Sequence, residues 1–95
     1  MPRPGKLNTT VVTSDTTIKS AAGRVWWITI SNSHASDSTA VELEDNGTDR
    51  WGVLVEAVDI IGLPFHAVFD PPIECNTGIK IDITGGTVKA VVAWT

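Results

Sequence analysis

From Leu7 onward, non-polar side chains recur at every second residue. Ile79, Ile81 and Ile83 alternate with Lys80 and Asp82, Val41 and Leu43 alternate with Glu42 and Glu44, and Val88, Ala90, Val92 and Trp94 keep the same spacing. A period of two is the pleat of a strand with one buried face, and no window carries the stripe of an amphipathic helix. The Ala21-Ala22 pair is too short to start one. The chain is therefore expected to be all-β.

The spacing predicts about eight short strands: Leu7–Val12, Thr16–Ser20, Gly23–Asn32, Thr39–Glu44, Gly52–Val58, Phe65–Asp70, Gly78–Thr84 and Thr87–Trp94. Turn chemistry separates them. Asp45-Asn46-Gly47 holds Asn-Gly, the strongest short hairpin signal. Pro71-Pro72 is expected to end a strand, because proline donates no ladder hydrogen bond. Gly85-Gly86 is expected to join the last two strands as a tight hairpin. Evenly spaced short strands of this kind point to an antiparallel β-sandwich, jelly-roll-like, over residues 7–95. Met1–Lys6, with Pro2, Pro4 and Gly5, reads as a short extended N-terminal arm.

At 95 residues there is room for one core only. Small domains of this size are commonly reinforced by disulfides, metals or oligomerisation. Cys75 is the single cysteine, which removes an intrachain disulfide. His34 and His66 are the two histidines, and neither sits in a ligand-spaced motif, so no metal or other cofactor is expected. Oligomerisation remains as the expected reinforcement.

The formal charge is −4, from 7 Lys plus Arg against 11 Asp plus Glu, and two of the cations, Arg3 and Lys6, fall in the arm. An acidic body with scattered cations argues against nucleic-acid binding. No apolar run approaches a membrane span, and no apolar segment of a signal peptide follows the first residues, so a soluble protein made in a cytoplasm is expected. Asn8-Thr9-Thr10 and Asn46-Gly47-Thr48 are then strand and turn residues, not glycosylation acceptors.

Catalysis needs a nucleophile, a base and an orienting group. Cys75 with His34 or His66 is the one pairing available, and its context, Pro-Pro-Ile-Glu-Cys-Asn-Thr-Gly, is that of an ordinary strand cysteine. Glu42, Glu44, Asp45 and Asp49 are the densest carboxylates, but their spacing does not fit a twelve-residue calcium loop. There is no glycine-rich phosphate loop. The chain is read as a non-enzyme.

Four tryptophans are a large number for this length. Trp26 and Trp27 are adjacent, so regular strand geometry would send them to opposite faces, one of them away from the core. Val91 and Ala93 lie opposite the Val88–Trp94 face, and Val53–Ile61 is apolar on both faces apart from Glu56 and Asp59. A strand apolar on both sides needs cover on both. Trp27, Trp51, Val91 and Ala93 are therefore the residues expected at an oligomer or partner interface. Carbohydrate stacking on an exposed tryptophan is the competing reading.

The segment Gly23-Arg24-Val25-Trp26-Trp27-Ile28-Thr29-Ile30-Ser31-Asn32 resembles the "AGxLxxIxVSN" segment of small tailed-bacteriophage virion proteins. The likeness continues through Val41–Asp45, through Phe69–Ile81 with its "xTGLxVxxTGGT"-like continuation, and through the closing strand Val88–Trp94. It covers roughly Ala22 to Thr95. It implies a structural protein with a β-sandwich or jelly-roll fold, serving as a capsid decoration (cement) protein, a head-fibre base, or a tail or neck accessory. Such proteins often form homotrimers and clamp capsid subunits with extended arms. Carried to this chain, that implies self-association, a major capsid protein or other virion protein as partner, a place on the capsid surface, and Arg3 and Lys6 meeting an acidic capsid surface. A carbohydrate-binding or adhesion module of a phage tail or fibre is the alternative.

Overall fold

The computed structural model describes residues 7–60 and 63–95. The arm expected over Met1–Lys6, with Arg3 and Lys6, lies outside the described residues. Eight strands follow in order: β1 (Asn8–Val12), β2 (Thr16–Lys19), β3 (Gly23–Asn32), β4 (Thr39–Asp45), β5 (Thr48–Val55), β6 (Phe65–Cys75), β7 (Ile79–Thr84) and β8 (Val88–Trp94).

They form two four-stranded sheets, β1-β8-β3-β6 and β2-β7-β4-β5, with every recorded pair antiparallel. The pairing is nested. β4 pairs with β5, β3 with β6, β2 with β7 and β1 with β8. A long double ribbon that folds at the β4–β5 hairpin and wraps across two sheets has this order, which is that of a jelly roll. The β3–β8 and β4–β7 pairs complete the sheets.

The alternating residues meet between the sheets. Val12, Val25, Ile28, Ile30, Val41, Leu43, Ile79, Ile81, Ala90 and Val92 are buried there. The hairpin at Asn46-Gly47 adopts the left-handed backbone its sequence invites, with φ of 49° and 89°, and Asp45 pairs with Thr48 across it. β5 therefore begins earlier than expected, at Thr48, and ends earlier, at Val55. Beyond Val55 the backbone turns. Val58 and Asp59 donate their N–H groups to the carbonyls of His34 and Ala35, so this stretch is held by the β3–β4 connection and not by a sheet.

Two turn expectations are corrected. Gly85-Gly86, with φ of 81° and 71°, does not close a hairpin, because β7 and β8 belong to different sheets. It carries the chain from one layer to the other. Pro71-Pro72 does not end β6, which runs to Cys75. The prolines are accommodated because β6 is an edge strand and because its register with β3 shifts at that point.

Candidate interaction surface

That register shift builds the most distinctive surface of the molecule. Val25 pairs with Trp94 of β8 and Ile73 of β6, whereas Trp27 pairs with Ala93 and Val68. Trp26 is thus an extra residue against β8, and it stands opposite Phe69, Asp70, Pro71 and Pro72 of β6. A bulge of this kind changes the parity of the strand. Val25 faces the core before it, and Ile28 and Ile30 face the core after it. Trp26 and Trp27 both lie half-buried outside the core cluster. The expectation that they point to opposite faces is therefore corrected: the bulge places both on the outer face.

Around Trp27, the strand registers align two rows across the outer face of the β1-β8-β3-β6 sheet. One row is Val11, Val91, Thr29 and His66, and the next is Thr9, Ala93, Trp27 and Val68. These positions hold no Asp, Glu, Lys or Arg. Val11 is 59% exposed and Val68 67%. Thr29 Oγ1 and His66 Nδ1 are hydrogen-bonded at 2.6 Å, and the Trp27 and His66 rings pack with centroids 5.9 Å apart. Lys89 and Ser31 border the rows on one side, and the Arg24–Glu74 ion pair, at 2.9 Å, lies toward the other.

The expected interface residues fall in different places. Trp27 and half-buried Val91 lie on this face. Ala93 is on it too but has no accessible surface in the single chain, being flanked by Thr9 and Trp27, so it supports the face without being reachable. Trp51 turns inward. It packs on Phe65 and Phe69, with centroids 5.9 and 5.4 Å away, and closes the gap between edge strands β5 and β6. Trp94 is likewise packed on the core, its Nε1 donating to Thr10 Oγ1 at 2.9 Å.

Beside the face lies a shallow depression of about 460 Å³, lined by Arg24, Trp26, Pro71, Pro72 and Glu74. Trp26 donates its Nε1–H to Thr95 Oγ1 at 3.1 Å, which fixes the indole. Sequence reasoning singled out Trp27 and passed over Trp26. The pair Pro71-Pro72 was the available signal, since prolines within a strand mark a bulge.

The opposite outer face has contrary chemistry. The registers set Glu42 beside Asp82, and Glu44 between Asp49 and Lys80. A hydrogen bond to Asp49 and the nearby charges of Asp49, Asp82 and Glu44 push the Glu42 carboxyl above its ordinary range; desolvation, followed by Asp82, does the same for Glu44. Asp15 goes the other way, held down chiefly by the Ile83 N–H it accepts at 2.8 Å.

Asp45 leaves this cluster altogether. It is 5% exposed and accepts five hydrogen bonds at 2.8–3.2 Å, from the N–H groups of Asn76, Thr77 and Gly78, from Thr77 Oγ1 and from Arg50 Nη2. These donors hold its carboxyl well below the usual range, the Asn76 and Thr77 N–H groups contributing most. The acidic cluster in the sequence thus splits into a solvated face and a clasp between two turns. Among the described residues, no group of three or more His, Cys, Asp or Glu side chains is placed to hold a metal ion.

Cys75 is buried in the core at one end of β6, its thiol pushed up by burial and by Asp45. His66 stands on the outer face near the other end of the same strand, about 30 Å away along an extended chain. Further depressions are lined by Lys19, Arg24, Glu74 and Asn76, by Thr17, Glu44, Asn46 and Lys80, and by Thr13, Ser31, Ser33 and Lys89, each with neighbouring turn residues. Comparison with known proteins finds no protein family, no curated protein and no solved structure that matches this chain.

Proposed function

We propose that the chain is a non-enzymatic structural subunit that docks on other protein through the outer face of the β1-β8-β3-β6 sheet, as a capsid decoration protein on the major capsid lattice of a tailed phage. The observation that carries the docking reading is the pair of uncharged rows on that face, with Trp27 at their centre and Val11 and Val68 exposed at their flanks. Interface centres are depleted in charge and enriched in tryptophan, with polar or charged residues at the rim. The phage assignment rests on the sequence resemblance alone.

The test is co-sedimentation with isolated tailed-phage heads. Val68→Lys places a charge in the face without touching the core and is expected to abolish binding. Glu42→Gln, on the far face, is expected to leave binding intact. Binding by Val68→Lys equal to that of the unaltered chain would remove the face from the docking reading, and failure of the unaltered chain on every head would remove decoration. A chain starting at Leu7 tests the arm clamp separately, because full binding without Arg3 and Lys6 would exclude it.

A second reading is favoured by the Trp26 depression. A half-buried indole beside Arg24, Glu74 and two prolines has the shape on which a sugar ring stacks. It predicts that a glycan quenches tryptophan fluorescence and that Trp26→Ala removes the quench.

A further inference from the structure

Each sheet has two edges, and three of the four strands there are blunted. β6 carries Pro71-Pro72 and a wide bulge. β2 has four residues, a register shift and Lys19. β5 carries Asp49 and Arg50 with a register shift against β4. Prolines, charges and bulges are the devices that keep sheet edges from pairing with other chains.

β1 has none of them. Asn8–Val12 contains no proline, glycine or charged residue, and its register with β8 runs unbroken from Asn8↔Trp94 to Val12↔Ala90. Among the described residues β8 is its sole strand partner, which leaves its other side with unpaired backbone N–H and C=O groups. We infer that β1 pairs antiparallel with β1 of a second copy of this chain across a two-fold axis perpendicular to the sheet.

The choice of occupant follows from the edges. A head-to-tail contact would need β1 to meet a different edge, and the other three are protected. An antiparallel β1 pair is isologous and needs only β1. No ionisable side chain lies within Asn8–Val12, so no register brings like charges together. Registers that keep Val12 inward in both copies keep Thr9 and Val11 outward in both. The result is an eight-stranded sheet, β6-β3-β8-β1-β1-β8-β3-β6, in which the uncharged outer face doubles and Val11 gains cover. This geometry favours a two-fold unit over the homotrimer implied by the sequence resemblance. It does not depend on the capsid reading.

A five-residue strand offers about 17 Å of contact, so association is concentration-dependent. Sedimentation of the full chain from about 10 μM to about 1 mM is expected to show a growing dimer fraction. Thr9→Lys/Val11→Lys, which charges the outward side of β1, is expected to weaken the dimer by at least about tenfold with the β-sheet spectrum retained. Hydrogen exchange on the unaltered chain reads the same contact without a variant, because the β1 amides should slow as concentration rises while those of β5 do not. A monomer throughout, a three-fold mass, a double variant that dimerises like its parent, or β1 exchange independent of concentration would each overturn the inference. A monomer that still binds phage heads would leave decoration standing, whereas a dimer that binds none would count against decoration alone.

Discussion

Asp45 and Asn32 do work that polar residues in a jelly roll seldom advertise in sequence. Asp45 ties the β4–β5 hairpin to the β6–β7 turn through three backbone N–H groups, and Asn32 accepts from the N–H groups of His34 and Thr87 while donating to the carbonyls of Asp37, Val55 and Glu56. Removing the Asp45 carboxylate leaves those turn donors without their acceptor. Asp45→Ala is expected to lower the melting temperature by at least about 5 °C, measured by circular dichroism. The pH dependence has a definite sign. A carboxyl held below its unfolded value of about 3.9 adds stability that is complete above that range and is lost as pH falls. The unaltered chain should therefore lose stability in acid more steeply than Asp45→Asn; parallel acid titrations of the two would exclude the clasp. Gly86 belongs to the same end of the molecule as Asn32. A Cβ there would meet Asn32 Oδ1 at 2.8 Å on a backbone with φ of 71°, so Gly86→Ala is expected to cost about 1–3 kcal/mol in denaturant unfolding.

Among the elements, β3 joins the interior to the surface. Its residues Val25, Ile28 and Ile30 are core, and the bulge between them turns Trp26 and Trp27 outward. Ile28→Ala should cost about 2–5 kcal/mol, as a large-to-small change at a fully buried site. Trp27→Ala should do something different. It strips the centre of the outer face, so loss of partner binding is expected to exceed loss of stability, and equal losses in the two measurements would make Trp27 a packing residue only. β5 and β6 show the same division. Trp51, Phe65 and Phe69 seal one flank of the sandwich, while Leu54, Val58, Ile60 and Leu63 stand exposed along and beyond β5. An apolar residue on a strand is legible as apolar, but which flank it closes depends on the strand brought beside it.

At the scale of the whole molecule, the outer faces of the two sheets, among the described residues, differ in charge. Carboxylates gather on the β2-β7-β4-β5 side, and the other sheet presents its uncharged rows. Two copies that approach by their acidic faces repel, so orientation is selected before contact. The crowding also stores a cost in the monomer. Glu42 and Glu44 hold protons more tightly in the folded chain than in the unfolded one, so their contribution to stability is best at low pH and declines as pH rises through their raised values. Glu42→Gln is expected to raise the melting temperature at neutral pH and low salt, with the gain shrinking as salt screens the cluster. A gain unchanged by salt would mean that the effect is not electrostatic.

The amino-acid sequence by itself determined that there are eight strands, which residues alternate inward along them and the Asn46-Gly47 hairpin, though not the bounds of β5 and β6, because alternation and turn chemistry are local properties and each can be read within a few residues. The two-sided apolarity of β8 was legible in the same way. Tertiary pairing decided the rest. Gly85-Gly86 looked like a hairpin because a turn residue does not record which sheet the next strand will join. Trp26 and Trp27 looked opposed because alternation holds only while the register is unbroken, and the register breaks at Trp26 against both β8 and the Pro71-Pro72 stretch of β6, each more than forty positions away. Asp45 looked like one of four clustered carboxylates until the β6–β7 turn supplied its donors. Each of these outcomes was set by a contact between segments distant in the chain, and pairing energies of that kind exist only once the ribbon has folded across both sheets.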